Sequence, residues 1–432
     1  MKKIERDFIV IGAALIISIC VGVGLFINNR SANTNEQKKV KNKSDYSFDA
    51  NILKSVNKNY STDNYLISPY SMKLALSMLR DGANGKTKEE IDEVLGNEKI
   101  ELLNSKERIA TSNALFVQEK YEKDILKSYS DLIKNDYDGE ILYDEFKSPN
   151  IINNWVSKKT YGMINNAVGS IDPSFVLGIV NTLAIDVSWA NRFDCGNTQE
   201  DEFKNENETY KVKMMHNFYQ SDAKYFKTSD SEGVIIPYVS YDENGKASND
   251  EKSIRLEFVG ILPKDSVDKY IDSFDNTTIK NIDSNTQNMT NKTRLSLALP
   301  KFEYDFTYDT FLEGLKELGI TKAFGSEADF RNISTSIDGL SVGEAIHKTY
   351  IKLGETGTKA AAVSAFAMTT SALPQEEYKT IEVKFNKPFV YIIRDAKTKQ
   401  NLFIGVVQKP DIWDNNTCEE DIDLNNEEWN TK

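Results

Sequence analysis

Two histidines and three cysteines, His216, His347, Cys20, Cys195 and Cys418, are all that the sequence offers to chemistry needing an imidazole or a thiol. Their spacing builds no Cys/His cluster, so neither a structural zinc site nor any other metal or cofactor is expected. A Ser-His-Asp triad would have to use His216 or His347, and no flanking pattern supports either. H-E-x-x-H and G-x-S-x-G are both missing from the sequence, which leaves hydrolase templates without a foothold. Gly82-Ala-Asn-Gly85-Lys86-Thr87 has the tail of a phosphate-binding loop, but the first glycine of that loop would fall at Arg80. The chain is therefore not expected to be an enzyme, and His347 reads as a core histidine bonded to its neighbours. Cys20 lies in an apolar run and Cys418 in the acidic tail, so a disulfide between Cys195 and Cys418 is conceivable but not expected.

The elements that hold these residues belong to a folded body. In 432 residues, 40% are hydrophobic and 28% charged, and the net charge is −13. Of that charge, −7 sits in residues 411–432, which carry eight acids and one lysine. No clustered excess of Lys and Arg exists to neutralise phosphates, so nucleic acid is not an expected partner.

At the other end, Phe8 to Ile27 is a run of twenty uncharged residues preceded by Lys2, Lys3 and Arg6. As a helix it would span about 30 Å, the thickness of a bilayer's hydrocarbon core. It lacks a clear small-x-small exit, and Ile19 stands before Cys20 where a lipoprotein signal wants a small residue. Residues 1–27 thus read as an uncleaved signal anchor with the bulk of the chain outside, or a secreted chain if the segment is cut. Residues 28–44 read as a flexible stalk, 45–410 as one domain, and 411–432 as a disordered acidic tail.

Within the body, Ser68-Pro69 followed by Tyr70, Leu74 and Met78 gives a capped, apolar-faced helix. Thr87-Lys-Glu-Glu90 spells a capping box before Ile91, Val94 and Leu95, with Gly96 as the stop. Phe311, Leu312, Leu315 and Leu318 share a face that ends at Gly319. Strands are expected at 176–187, 256–262, 294–299, 381–385, 389–394 and 402–407. The irregular mixture argues an α+β fold with largely antiparallel sheets. Residues 354–374 fit none of this: they are small, poor in large core residues, and charged only at Glu355 and Lys359. Their alternation places Thr358, Ala360, Ala362, Ser364, Phe366, Met368 and Thr370 on one face, so the loop could become a strand.

Over residues 45–410 the chain resembles a serpin. Asn64-Tyr-Leu-Ile-Ser-Pro-Tyr-Ser71 matches that family's N-x-x-x-S-P-x-S segment, followed by Asn84-Gly85-Lys-Thr-Lys-Glu-Glu-Ile91. Asn181-Thr-Leu-Ala-Ile-Asp-Val-Ser-Trp189, Leu299-Pro-Lys301-Phe302, Leu318 to Phe324, Glu327 to Phe330 and His347-Lys348 continue the series. Gly357-Thr358 with Ala360, Ala361 and Ala362, Phe385-Asn-Lys-Pro-Phe389 and Leu402-Phe-Ile-Gly405 complete it in the right order.

The resemblance implies three β-sheets, about nine helices and an exposed reactive-centre loop. A monomer is expected whose partner is a serine protease, trapped as an acyl-enzyme when the cut loop inserts as a new strand. It implies a loop hinge at Glu355, Gly357, Thr358, Ala360, Ala361 and Ala362. Beneath the opening sheet it implies a polar cluster of Ser68, Ser71, Asn181 and His347, with Trp189 at the insertion point and a surface-type pair of Lys301 and Glu355. Counting seventeen residues from Glu355 puts the reactive bond between Ser371 and Ala372. This favours elastase-like or subtilisin-like targets, with papain-like cysteine proteases as a cross-class alternative and a non-inhibitory binding or chaperone protein as another. Thr356 and Lys359 replace acids usual in the family, Val363 is bulkier than usual, and 242–252 looks inserted.

Overall fold

The computed structural model describes residues 9–21, 48–355 and 379–410, apart from 97–99, 107, 207, 220–221 and 291. The hinge residues Gly357, Thr358, Ala360, Ala361 and Ala362, the Ser371–Ala372 bond, the stalk and the acidic tail lie outside them. What is described is α+β, with three sheets as expected.

The first sheet runs in the order β14 (Phe302–Tyr308), β15 (Leu340–Leu353), β1 (Ile9–Val21), β6 (Phe175–Val187), β4 (Ile109–Gln118), β3 (Asn104–Ser105), with β5 (Gly139–Asp144) also beside β4. The second runs β12 (Thr286–Asn288), β9 (Lys224–Lys227), β10 (Ser231–Tyr241), β11 (Ile254–Pro263), β17 (Phe389–Asp395), β18 (Asn401–Val407), β2 (Tyr65–Ile67). The third is β16 (Lys379–Lys384), β13 (Thr293–Pro300), β8 (Thr209–Tyr219), β7 (Gln199–Lys204). Among the described residues the α-helices are α1 (Phe48–Tyr60), α2 (Pro69–Gly82), α3 (Gly85–Leu95), α4 (Lys127–Asp136), α5 (Asn150–Lys159), α6 (Val267–Ser273), α7 (Asn276–Ser284) and α8 (Phe311–Leu318).

Helix α2 joins the first two sheets. The Ser68 hydroxyl caps it by accepting the Ser71 N–H, proline holds its first turn, and the helix is buried over most of its length. It packs against β1, β6 and β18. On the opposite face of the first sheet, α5 covers β4 and β6, and Ile16, Phe116, Trp155 and Val180 form a second apolar cluster. With both faces covered, the central strands can be apolar without alternation. In the second sheet Gly405 faces Tyr391, whose ring lies where a Cβ would sit, as near as 2.2 Å. Only glycine admits that tyrosine.

Two expectations are corrected. Thr87 and Glu90 do not form a capping box: Asn84 caps α3, whose first residue is Gly85. The Thr87 hydroxyl accepts the Asp329 N–H, and Glu90 accepts the N–H groups of Thr321 and Lys322. The spacing was right, but donors from a distant segment satisfy both acceptors.

The second correction concerns the apolar N-terminal run. In place of a membrane helix, Ile9–Val21 is a strand hydrogen-bonded along both edges, antiparallel to β6 on one side and β15 on the other. Among the described residues no helix is long and apolar enough to cross a membrane. An Ile- and Val-rich run satisfies its backbone equally well between two strands, and length with hydropathy alone does not distinguish the two fates. Leu15, Ile16 and Ile17 are almost fully buried, each worth roughly 1.5–3 kcal/mol of apolar burial.

Candidate functional site

The residues expected to control sheet opening lie where β1, β6, β15 and α2 meet. Ser68 is the hub. Its hydroxyl donates to the Leu402 carbonyl at 2.8 Å and accepts the Ser71 N–H, while its own N–H donates to Nε2 of His347 at 3.0 Å. That bond puts the ring proton of the neutral tautomer on Nδ1. His347 is fully buried and packs its ring against Phe311. The expectation of a core histidine bonded to its neighbours is met.

Asn181, also fully buried, donates from Nδ2 to Oδ1 of Asn113 at 2.8 Å, and Asn113 donates to the Tyr137 carbonyl. Asn181 and His347 do not meet, because Leu15 of β1 lies in register with both. Two strand spacings, about 9.5 Å, separate their backbones. Three buried atoms here have no hydrogen-bond partner: Oγ of Ser71, Oδ1 of Asn181 and Oγ1 of Thr182. Asn113 and Thr182 were missed in the sequence, since neither carries a signal beyond being a polar residue in an apolar strand.

At the upper end of β6 and β15 the chain leaves for the loop. Trp189 is buried, stacks on Tyr238 at 4.6 Å, and meets Phe193 and Phe258 edge-on. Its indole N–H donates to the carbonyl of Gly354, the residue after β15, at 3.1 Å. Burial pushes the Tyr238 phenol well above its ordinary range, and its hydroxyl has no partner.

Beside it, Lys301 and Glu355 form a 2.8 Å ion pair whose side chains are only 3% and 5% exposed. The expected surface-type pair is therefore corrected to a buried one, at a place where the segment 193–198 meets the base of the loop. Glu355 also accepts from the Thr198 hydroxyl at 2.8 Å, and its carbonyl accepts the Phe193 N–H. Thr198 and Phe193 were not anticipated, since only the fold brings residues so distant in sequence to the loop base. Close by, Cys195 is disulfide-bonded. Among the described residues no group of His, Cys, Asp and Glu could hold a metal.

Comparison with known proteins accounts for this arrangement. A family model described as serpin (serine protease inhibitor) matches residues 43–410. An uncharacterized serpin-like protein, TK1782, of Thermococcus kodakarensis is 29% identical over 371 residues, 81% of this chain and 82% of that protein. The leukocyte elastase inhibitor of Xenopus laevis is 28% identical over 396 residues, covering 84% and 97%. The crystal structure of the thermophilic serpin tengpin in its native state superposes with a TM-score of 0.68 at 29% identity, covering 88% of this chain and 97% of tengpin. With the family model spanning the whole body, and with the fold and the ordered motifs in agreement, the chain belongs to the serpin family.

Proposed function

We propose that this chain is an extracellular inhibitor of serine proteases that traps its target by inserting the cut loop into the first sheet. Serpins are generally protease inhibitors rather than catalysts, and the relatives include an elastase inhibitor. The observation that carries the reading is the room between β6 and β15: it accommodates a strand of thirteen residues running antiparallel to both. A loop leaving the end of β15 and folding back would enter in that direction, and Thr358 to Ser371, fourteen residues, matches that length.

The chemistry belongs to the protease until the bond is cut. Its serine Oγ attacks the carbonyl carbon of Ser371, the C–N bond to Ala372 breaks, and the amine leaves with a proton from the enzyme's histidine. The ester joining Ser371 to the enzyme either hydrolyses or is carried away as Thr358 to Ser371 become a strand. About fourteen residues at roughly 0.5–1.5 kcal/mol of net hydrogen bonding each would release on the order of 7–20 kcal/mol, comparable with the stability of a whole domain. The residues around the bond, Thr370, Ser371 and Ala372, are small, which suits the shallow primary pockets of elastase-like and subtilisin-like enzymes. A disulfide at Cys195 supports an oxidising, extracellular setting.

The test is incubation with a panel of serine and cysteine proteases, followed by denaturing electrophoresis and mass spectrometry of the released C-terminal fragment. A complex that survives denaturation, with a fragment beginning at Ala372 give or take one residue, is the expected result. Ala360→Asp, which would bury an unpaired charge, should turn the inhibitor into a substrate. Absence of any stable complex across the panel would leave a non-inhibitory role.

A further inference from the structure

We infer that the N-terminal segment is an internal competitor of the reactive-centre loop: with β1 between β6 and β15 the chain is held in a non-trapping form, and departure of β1 arms it. This rests on the loop-insertion reading above.

Direction, length and position all agree. β1 is antiparallel to both neighbours, as an inserted loop would be, and its thirteen residues nearly equal the fourteen from Thr358 to Ser371. It passes between Asn181 and His347, the middle of the polar cluster. Its central side chains fill the space on both faces: Leu15 and Ile17 belong to the main core, and Ile16 to the cluster under α5. Since β1 pairs with both β6 and β15 from Val10 to Cys20, with one register shift on each side near Ile19, a second strand cannot pair there at the same time. A loop cut while β1 is in place has no slot to enter, so the acyl-enzyme hydrolyses and the protease departs free.

Exit is feasible. The twenty-six residues from 22 to 47 connect β1 to α1. Fully extended they reach up to about 90 Å, more than the length of β1 itself, about 43 Å at 3.3 Å per residue. The partnerless polar atoms at Ser71, Asn181 and Thr182 leave this fit imperfect, which lowers the barrier to leaving.

Three forms of the full chain test the inference with one subtilisin-like protease: the natural sequence, Leu15→Asp with Ile17→Asp, and Leu15→Ile with Ile17→Val. The two aspartates would put charge into the core and expel β1. The number of inhibitor molecules consumed per protease trapped is expected to fall by at least about tenfold in the Asp form, an order of magnitude in the ratio of insertion to hydrolysis. The conservative form should behave as the natural chain does. Equal trapping by natural and Asp forms overturns the competitor role and leaves the inhibitor reading intact. An Asp form that loses amide protection at 9–21 yet traps nothing overturns the inhibitor reading, and the competitor role with it. Hydrogen exchange on the natural chain gives a check that needs no variant: amides 9–21 should be protected, but less than 175–187, half of whose amides stay paired to β4 when β1 leaves, and unprotected exchange at 9–21 overturns the inference.

Discussion

The first and second sheets are both buried, and each leaves buried oxygens without a partner, Oη of Tyr238 and Oδ1 of Asn401 in the second; what sets the second apart is the charge network it buries at its centre. In the second, every residue of β17 and β18 is buried, and the one guanidinium among them, Arg394, is fully paired. Its Nε donates to Glu257 at 2.7 Å, its Nη2 to Asp283 at 2.6 Å, and Lys399 binds the same Glu257 oxygen. The phenols of Tyr391 and Tyr304 meet at 2.7 Å; burial above all, with Tyr304 adding, holds Tyr391 well above its ordinary range. In the first sheet Asn181 and Thr182, and beside it Ser71 of α2, each leave a buried oxygen without a partner around the slot that β1 fills. Each such atom costs about 1–3 kcal/mol, so the centre of the first sheet is a few kcal/mol short of its best packing. On the loop-insertion proposal the first sheet has to accept one strand in place of another, whereas the Arg394 network of the second holds its register.

The comparison breaks most directly at Arg394. Arg394→Ala would leave Glu257 buried beside a void, and a loss of about 3–5 kcal/mol in urea unfolding is expected. A loss under about 1 kcal/mol, the scale of a surface pair, would mean that the network does not fix this sheet.

Next comes the loop base, where the first sheet adopts the second's style. Lys301→Ala and Glu355→Ala should each cost about 3 kcal/mol, because each leaves the other charge buried and unpaired. Their combination should cost far less than the sum. Additive effects would show that the two side chains act separately, against the 2.8 Å pairing.

Much of this was legible in sequence. Ser68-Pro69 marked the start of α2 because cap and proline act locally, and Gly96 and Gly319 marked helix ends because both take positive φ, 69° and 116°. The Ser68, Asn181 and His347 positions came from ordered motifs, yet the motifs could not tell that Leu15 would part Asn181 from His347. Burial of the Lys301–Glu355 pair was hidden because both residue types are usually exposed, and only the fold brings the segment 193–198 to the base of the loop. Residues 9–21 were misjudged for a reason that hydropathy cannot repair: an apolar run is equally at home in lipid and in a doubly covered sheet.

The disulfide at Cys195 sharpens the placement of β1. Cys195 lies near the Glu355 end of the sheet, where Val10 pairs with Lys352, whereas Cys20 pairs with Phe175 and Ser341 at the other end. Ten residues separate Val10 from Cys20, about 33 Å along a strand, and disulfide α-carbons sit within about 7 Å. Peptide mapping without reductant should therefore join Cys195 to Cys418, and reduction should lower stability by about 2 kcal/mol. A Cys20–Cys195 peptide would contradict the register of β1.

The smallest expected effects come from the partnerless hydroxyls, and they are the most discriminating because their sign is unusual. Thr182→Val keeps the shape of the side chain and removes an oxygen that is fully buried with nothing to bond, and Ser71→Ala does the same in α2. Deleting a satisfied hydroxyl normally costs about 1 kcal/mol, whereas deleting a partnerless one removes its desolvation penalty, so each variant should gain up to about 1 kcal/mol. Urea midpoints at constant slope measure the gain. If polar mismatch in the first sheet is what keeps strand exchange accessible, the same variants should exchange the amides of residues 9–21 more slowly than the natural chain does. A loss of about 1 kcal/mol in either variant would show that the hydroxyl has a structural role, and that polar mismatch is not what loosens the centre of the first sheet.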